Sequence, residues 1–361
     1  MGRRSELNEI ARAMVAPGKG LLAADESGGT IKKRFDSINV ESTEDNRRAY
    51  REMLFRTEGA ADHISGVILF DETIRQSAAD GTPFVELLEK QGIIPGIKVD
   101  AGAKPLAFSE GETVTEGLDG LRERLAEYYA LGARFAKWRA TYSIDTAAKA
   151  GSVPERKAGS VPERKGGRRP TEYCLDVNAH ALARYAALCQ EAGIVPIVEP
   201  EILMDGDHTI DESFAVTTRV LREVFRQLAA QGVILEGMIL KPNMVLSGYD
   251  CATQASVEEV AEHTVRAFKL TVPAAVPGIM FLSGGQSDEL ATAHLDAMNR
   301  IGDLPWALSF SYGRALQAPA LKAWSGEASQ VSAGQAAYLK RARLNGAAAK
   351  GEYTAAMESA S

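Results

Sequence analysis

Apolar runs and amphipathic stretches alternate along almost the whole chain. Leu7, Ile10, Ala11 and Met14 recur at helical spacing, and Pro17-Gly18 closes that first segment. Gly20-Leu21-Leu22-Ala23-Ala24 then forms a short apolar run that ends in Asp25-Glu26-Ser27-Gly28-Gly29-Thr30. The same unit recurs. Helical patterns at 45–57, 83–91 and 118–131 precede strand-like runs at 66–70, 93–99 and 134–139. Patterns at 177–192, 212–230, 257–270 and 288–299 precede runs at 194–201, 238–244, 278–285 and 306–311. Eight strand-like runs result, with a helical pattern in every gap.

Short, mostly non-alternating apolar strands separated by helices mark a parallel sheet covered on both faces or closed on itself. Eight such units predict an α/β fold of the (β/α)8 TIM barrel type, with a doubly wound open sheet as the rival. The polar residues favour the barrel. Asp25, Lys98, Lys137, Glu199, Lys241 and Ser283 fall at or near the C-terminal ends of six different runs. A closed barrel gathers those ends around one mouth. On this reading residues 1–361 form a single barrel domain, and 326–361 a C-terminal helical or tail region.

Composition narrows the functional classes. The 361 residues carry 41 Lys+Arg against 48 Asp+Glu, a net charge of −7. That balance weighs against nucleic-acid or anionic-membrane partners, so any anion site must be local. Three widely spaced cysteines (Cys174, Cys189, Cys251) suit neither a disulfide framework nor a zinc ligand set. The five histidines show no close ligand spacing, and no metal is expected. No apolar run is long enough to span a membrane, and the N-terminus lacks an apolar signal core, so the expectation is a soluble cytoplasmic protein.

The run Met238-Ile239-Leu240-Lys241-Pro242-Asn243-Met244 places a lysine in apolar surroundings. Burial there disfavours the ammonium and favours the free amine, a nucleophile toward carbonyl carbon. Lys241 is the strongest Schiff-base candidate; the plain alternative is a buried lysine paired with a carboxylate. Lys98 precedes Val99-Asp100 and either pairs with that aspartate or holds phosphate. Lys137 shares a strand face with Arg139, a positive field suited to an anion. Glu199-Pro200-Glu201 puts two carboxylates on one side of an extended chain, where their pKa values are pushed apart to serve as acid and base. The competing reading makes them ion-pair partners of Lys137 and Arg139.

Three Gly/Ser-rich exits are suited to phosphate: Ser27-Gly28-Gly29-Thr30, Ser283-Gly284-Gly285-Gln286 and Ser311-Tyr312-Gly313-Arg314. Glycines let backbone N–H groups approach an anion, and a following helix N-terminus adds partial positive charge. The seventh and eighth exits are the usual phosphate position in such barrels. Arg314 adds a bidentate partner there.

One stretch breaks the pattern. The octapeptide at 150–157, Ala-Gly-Ser-Val-Pro-Glu-Arg-Lys, is followed at once by an identical copy at 158–165, within a basic insertion at 149–169. Composition predicts a flexible solvated loop. The alternative is a basic arm for an acidic partner or anionic ligand, placed to fold over the barrel mouth.

Taken together, Leu22-Ala23-Ala24-Asp25-Glu26-Ser27, Gly96-Ile97-Lys98-Val99-Asp100 and the stretches 66–70, 135–139, 196–201, 240–245, 281–286 and 310–317 closely resemble class I fructose-bisphosphate aldolase, the metal-independent Schiff-base type. The matching stretches run in order from the first strand to the last. The resemblance implies that Lys241 forms the Schiff base, that Glu199 moves protons in carbinolamine dehydration, and that Asp25 is the base on the C4 hydroxyl. Lys137 and Glu201 would tune charge around the iminium. Ser283, Gly284, Gly285, Ser311, Gly313 and Arg314 would hold the C1 phosphate. Ser27, Thr30, Arg34, Arg47, Lys98 and Arg139 would contact the sugar or the distal phosphate.

The implied activity is reversible cleavage of fructose 1,6-bisphosphate to dihydroxyacetone phosphate and glyceraldehyde 3-phosphate, in glycolysis and gluconeogenesis, without a cofactor. Fructose 1-phosphate and sedoheptulose 1,7-bisphosphate are further candidate substrates, and the family commonly forms homotetramers. Two departures stand out. The repeat-bearing insertion lies where the family's connection is shorter. Many animal members also end in a flexible tail whose terminal tyrosine assists proton transfer; here Gly351-Glu352-Tyr353 is soon followed by Ser359-Ala360-Ser361. That role does not carry over, which leaves slower enamine protonation open. The rival readings are another Schiff-base barrel enzyme, such as a transaldolase or deoxyribose-phosphate aldolase, and a catalytically silent scaffold.

Overall fold

In the computed structural model, which describes residues 2–145 and 169–359, eight parallel strands close on themselves in chain order. They are β1 (Gly20–Ala24), β2 (Ile64–Leu69), β3 (Ile94–Lys98), β4 (Phe135–Tyr142), β5 (Val195–Ile202), β6 (Ile239–Leu240), β7 (Gly278–Phe281) and β8 (Ala307–Tyr312). The last strand returns to the first with Leu21 opposite Ser311 and Leu22 opposite Tyr312. The closed ring removes the open-sheet alternative. The tandem octapeptide at 150–165, with the loop and basic-arm readings attached to it, lies outside the described residues.

The strands read as continuous apolar runs because both of their faces are buried. Leu21, Ala23, Ile68, Phe135, Val195, Ile197, Ile239 and Met280 pack inside the barrel, with Leu7, Ala11 and Met14 of the N-terminal helix (Arg3–Met14). Leu22, Ala24, Val67, Leu69, Trp138, Val198, Phe281 and Phe310 pack outward against the helices. The helix closes the barrel's lower end, where the Ser65 hydroxyl donates to Met14 O. Phe135 lies so close to Gly66 and Gly96 that a Cβ at either would meet its ring, at 2.9 Å for Gly66 and nearer for Gly96. Those two strands need glycine for that approach.

Alternation along each strand carries the inward row upward two residues at a time. Leu21 and Ala23 lead to Asp25. Phe135 leads to Lys137 and Arg139, Val195 and Ile197 to Glu199 and Glu201, and Ile239 to Lys241. The inward row is apolar at the bottom and charged at the top.

The expected run at 238–244 contracts to the two residues of β6 because Pro242 has no N–H to donate. Its neighbours still hold it. Lys241 N–H donates to Val198 O at 2.8 Å, and Leu282 N–H donates to Pro242 O at 3.1 Å. Ile202 N–H donates to Asn243 Oδ1 at 2.8 Å, which ties β5 to the segment past the proline. Lys241 is therefore fixed on a rigid rung.

Several elements were not anticipated. Gly28–Asp36 is a helix that starts inside the supposed first phosphate turn, and Arg314–Trp324 is a helix that tolerates Pro319. Ala103–Pro105 and Thr113–Thr115 pair as an antiparallel hairpin beside the mouth. The region 326–361, expected to be helical or a tail, holds a 3-10 turn at Ala328–Gln330, a helix at Val331–Ala348 and a second 3-10 turn at Ala355–Glu358. Its end is docked: Arg341 pairs with Glu358 at 2.7 Å, and the Tyr353 hydroxyl donates to Glu358 Oε1 at 3.0 Å. Among the described residues no helix is long and apolar enough to cross a membrane.

Candidate active site

Four strand exits bring Lys241, Glu199, Lys137 and Asp25 into one row of alternating charge. Lys241 Nζ lies 3.2 Å from Glu199 Oε1. Lys137 Nζ lies 3.3 Å from Glu199 Oε2 and 2.7 Å from Asp25 Oδ2. The two lysines and Glu199 are buried, and Asp25 is nearly so. The apolar strand buries Lys241 and a carboxylate pairs with it, as the plainer of its two sequence readings expects. Lys137 departs from the anion-binding expectation, because two carboxylates already occupy its ammonium. Glu201 takes the guanidinium of Arg139, and Lys98 pairs with Asp100 at 3.0 Å.

The electrostatics divide the carboxylates. Burial alone would raise the Asp25 pKa, but Lys137, then Lys241, outweigh it and hold the group well below the usual aspartate range. Burial also works to raise Glu199, and Lys137, Lys241 and Arg139 together bring it below the ordinary glutamate value. For Lys137, burial favours the free amine, yet Asp25 and Glu199 prevail and its pKa is raised. Glu201 moves the other way. Its burial, reinforced by Glu199, wins over Arg139 and raises its pKa. The pair at i and i+2 is thus split, with Glu199 held ionised and Glu201 pushed toward its protonated form.

The exits of β7 and β8 form the second half of the site. Ser283 is buried, Gly284 has a φ of +54°, and Gly285 follows it across the turn. The Ser311 hydroxyl is buried beside them without a hydrogen-bond partner among the described residues. Arg314, the first residue of its helix, donates from Nη2 to Gly284 O at 3.0 Å and to Gln286 O. That contact locks the two exits together, and Arg314 lines the mouth. Backbone amides, a free hydroxyl, a guanidinium and a helix N-terminus converge there, a donor set suited to phosphate.

Across the mouth, Ser27 and Thr30 approach at 3.3 Å on the first turn of the Gly28–Asp36 helix. Arg34 pairs with buried Glu26, which also holds Arg51. Ser27, Thr30, Arg34 and Glu26 open on the same cavity, of about 590 Å³, as the lysine–carboxylate row and the β7 and β8 exits.

Every sequence-predicted site residue except Arg47 lines that cavity. Arg47 points elsewhere: its Nε and Nη2 make a bidentate pair with Glu72, both at 2.8 Å. The fork expected to read phosphate is used to join the Glu44–Phe55 helix to the exit of β2. The cavity also takes in Glu26, Thr141, Met204, Asp205 and Tyr249, which the sequence reading did not single out. Thr141 was reachable by continuing the alternation beyond Lys137 and Arg139. Met204 and Tyr249 sit on irregular loops with no period to follow.

Fold and mouth together define a (β/α)8 barrel with a lysine–carboxylate centre facing a phosphate-type cradle. The chain belongs to the class I fructose-bisphosphate aldolase family, whose sequence profile matches residues 6–361. It is 56% identical over 349 residues to a probable fructose-bisphosphate aldolase class 1 of Xanthomonas campestris pv. campestris, covering 96% of this chain and 98% of that one. It is 55% identical to fructose-bisphosphate aldolase 1 of Toxoplasma gondii, covering 96% and 91%. A solved structure of fructose-bisphosphate aldolase from Plasmodium falciparum, in complex with TRAP and a small-molecule inhibitor, superposes with a TM-score of 0.91 at 48% identity, covering 98% and 96%.

Proposed function

We propose that this chain cleaves fructose 1,6-bisphosphate reversibly to dihydroxyacetone phosphate and glyceraldehyde 3-phosphate through a Schiff base at Lys241. The observation that carries the assignment is the row Lys241–Glu199–Lys137–Asp25, which supplies an amine, a proton carrier and a base within contact distances of one another. Glu199 Oε1 is placed to take the proton that Lys241 must lose before its nitrogen attacks the C2 carbonyl. The same proton is then returned to the carbinolamine oxygen, which leaves as water and yields the iminium.

Asp25 next removes the C4 hydroxyl proton. The C3–C4 bond breaks and its electron pair moves into the iminium, giving an enamine and releasing glyceraldehyde 3-phosphate. A carboxylate with so low a pKa is a weak base. The transfer is driven by electron flow into the iminium rather than by the basicity of Asp25. Protonation of the enamine at C3 and addition of water release dihydroxyacetone phosphate and regenerate Lys241.

The cradle of Ser283, Gly284, Gly285, Ser311, Gly313 and Arg314 holds the C1 phosphate in this reading. Ser27, Thr30, Arg34, Lys98 and Arg139 face the distal end of the sugar. Tyr353, held by Glu358 on the outer layer, does not line the cavity. Relative rates on fructose 1-phosphate and sedoheptulose 1,7-bisphosphate would define the distal specificity. Family resemblance supports a homotetramer, which sedimentation would test.

Borohydride reduction in the presence of dihydroxyacetone phosphate, followed by peptide mapping, tests the central claim. A stable adduct on Lys241 is expected; no adduct, or one on Lys137 or Lys98, would overturn it.

A further inference from the structure

Gly284 and Gly285 are glycine for different reasons. Gly284 needs it for its positive φ. Gly285 has no such backbone conformation; a Cβ there would instead overlap the phenol oxygen and ring edge of Tyr249. What keeps position 285 small is an aromatic ring laid on the phosphate-type turn.

Tyr249 reaches that place from the connection between β6 and the Val257–Lys269 helix. Its backbone N–H donates to Met204 O at 2.9 Å, and Gly248 N–H donates to His208 O at 2.8 Å, so the connection is tied to the loop leaving β5. The ring is 44% exposed and lines the cavity. Its hydroxyl meets Met204 Sδ at 3.5 Å, and a thioether is a weak acceptor. Burial raises the phenol pKa, the Gly285 amide and Arg314 lower it, and Asp205 and Glu201 raise it further, leaving the hydroxyl a proton donor.

We propose that Tyr249 is a specificity-determining residue whose hydroxyl leaves the Met204 sulfur and donates to the substrate's C1 phosphate. A phosphate held by the amides of this turn and by Ser311 and Arg314 sits against Gly285, where the phenol oxygen already lies. A phosphate oxygen is a far stronger acceptor than sulfur, so the hydroxyl needs only to reorient. The backbone ties to Met204 and His208 keep the ring in place while it does so. The inference rests on the proposed aldolase function and deepens it by adding a donor to the C1 end.

The test is Tyr249→Phe in the full chain, with steady-state kinetics on fructose 1,6-bisphosphate and calorimetric titration of inorganic phosphate. Loss of a hydrogen bond to a charged group predicts a roughly tenfold rise in KM, with kcat retained and phosphate affinity weakened in parallel. Unchanged KM and phosphate affinity would overturn the proposal. So would a fall in KM, since it would make the phenol a competitor of the phosphate. If the wild-type chain neither cleaves the bisphosphate nor traps an adduct on Lys241, the aldolase reading fails instead. The phosphate titration still decides whether Tyr249 contributes.

Discussion

The ammonium of Lys137 stands 2.7 Å from Asp25 Oδ2, with only 5% and 13% of the two side chains exposed. Two charges so far withdrawn from water hold each other in place, and Glu199 makes the arrangement a triad. Removing the central cation leaves two buried carboxylates facing each other. Lys137→Met is expected to cost about 3–5 kcal/mol of stability, as for other broken buried pairs, together with nearly all cleavage activity. Lys137→Arg, which keeps the charge, should recover most of the stability. Urea denaturation of the three proteins checks this, and an unshifted midpoint for Lys137→Met would refute it.

The same cluster sets the acid side of the stability curve. Asp25 and Glu199 are held below their ordinary values of 3.8 and 4.5, so in acid the folded protein binds fewer protons than the unfolded chain. Their stabilisation is complete above those ordinary values and is lost as pH falls through the folded ones. Lys137 has the opposite sign: its stabilisation is complete below 10.5 and is lost as pH rises through its raised folded value. Glu201, raised above 4.5, detracts from stability as pH climbs past that point. Denaturation midpoints followed from about pH 3 to about pH 8 should drop at the acid end, and less steeply in Asp25→Asn. An equally steep drop in that variant would show that the acid limb lies elsewhere.

Arg47 separates the family expectation from the geometry. Its fork is engaged by Glu72 at two contacts of 2.8 Å and lies away from the cavity. Arg47→Met should therefore leave KM for fructose 1,6-bisphosphate within about twofold and cost roughly 1 kcal/mol of stability, as expected for a partly exposed bidentate pair. Arg34→Met, whose parent lines the cavity, should raise KM. A rise in KM of similar size for both would mean that Arg47 turns toward the substrate in the bound state.

These contrasts show what the chain disclosed on its face. Strand exits were legible because an apolar run ending in Asp25, Lys137, Glu199 or Lys241 is a conflict that only a buried ion pair or a site resolves. Position along a strand then fixed direction, since alternation carries Ile239 to Lys241 and Ile197 to Glu199. Helices hide direction better. Nothing near Arg47 signals that Glu72, in another unit, will meet its fork. Pro319 disguised the Arg314–Trp324 helix, and glycines within the Val331–Ala348 helix weakened its pattern. Tyr249 was out of reach because a loop has no period, and the phosphate-type turn gave no sign that a ring would pack on Gly285.

Gly284 offers the sharpest test of the cradle. Its φ of +54° lies in the left-handed region, and a Cβ there would overlap the end of the Met204 side chain. Alanine at 284 thus faces two separate penalties: about 1–2 kcal/mol for the backbone and a further cost for displacing the thioether. Either one shifts the carbonyl to which Arg314 donates at 3.0 Å, and so disturbs the guanidinium along with the amides. Gly284→Ala is expected to raise KM for the bisphosphate at least roughly tenfold, an effect comparable to one lost charge-assisted hydrogen bond. Adding Met204→Ala removes the overlap and leaves the backbone strain, so the double variant should recover only part of that loss. Full recovery would assign the need for glycine to packing alone. A wild-type KM in the single variant would remove this turn from the phosphate site.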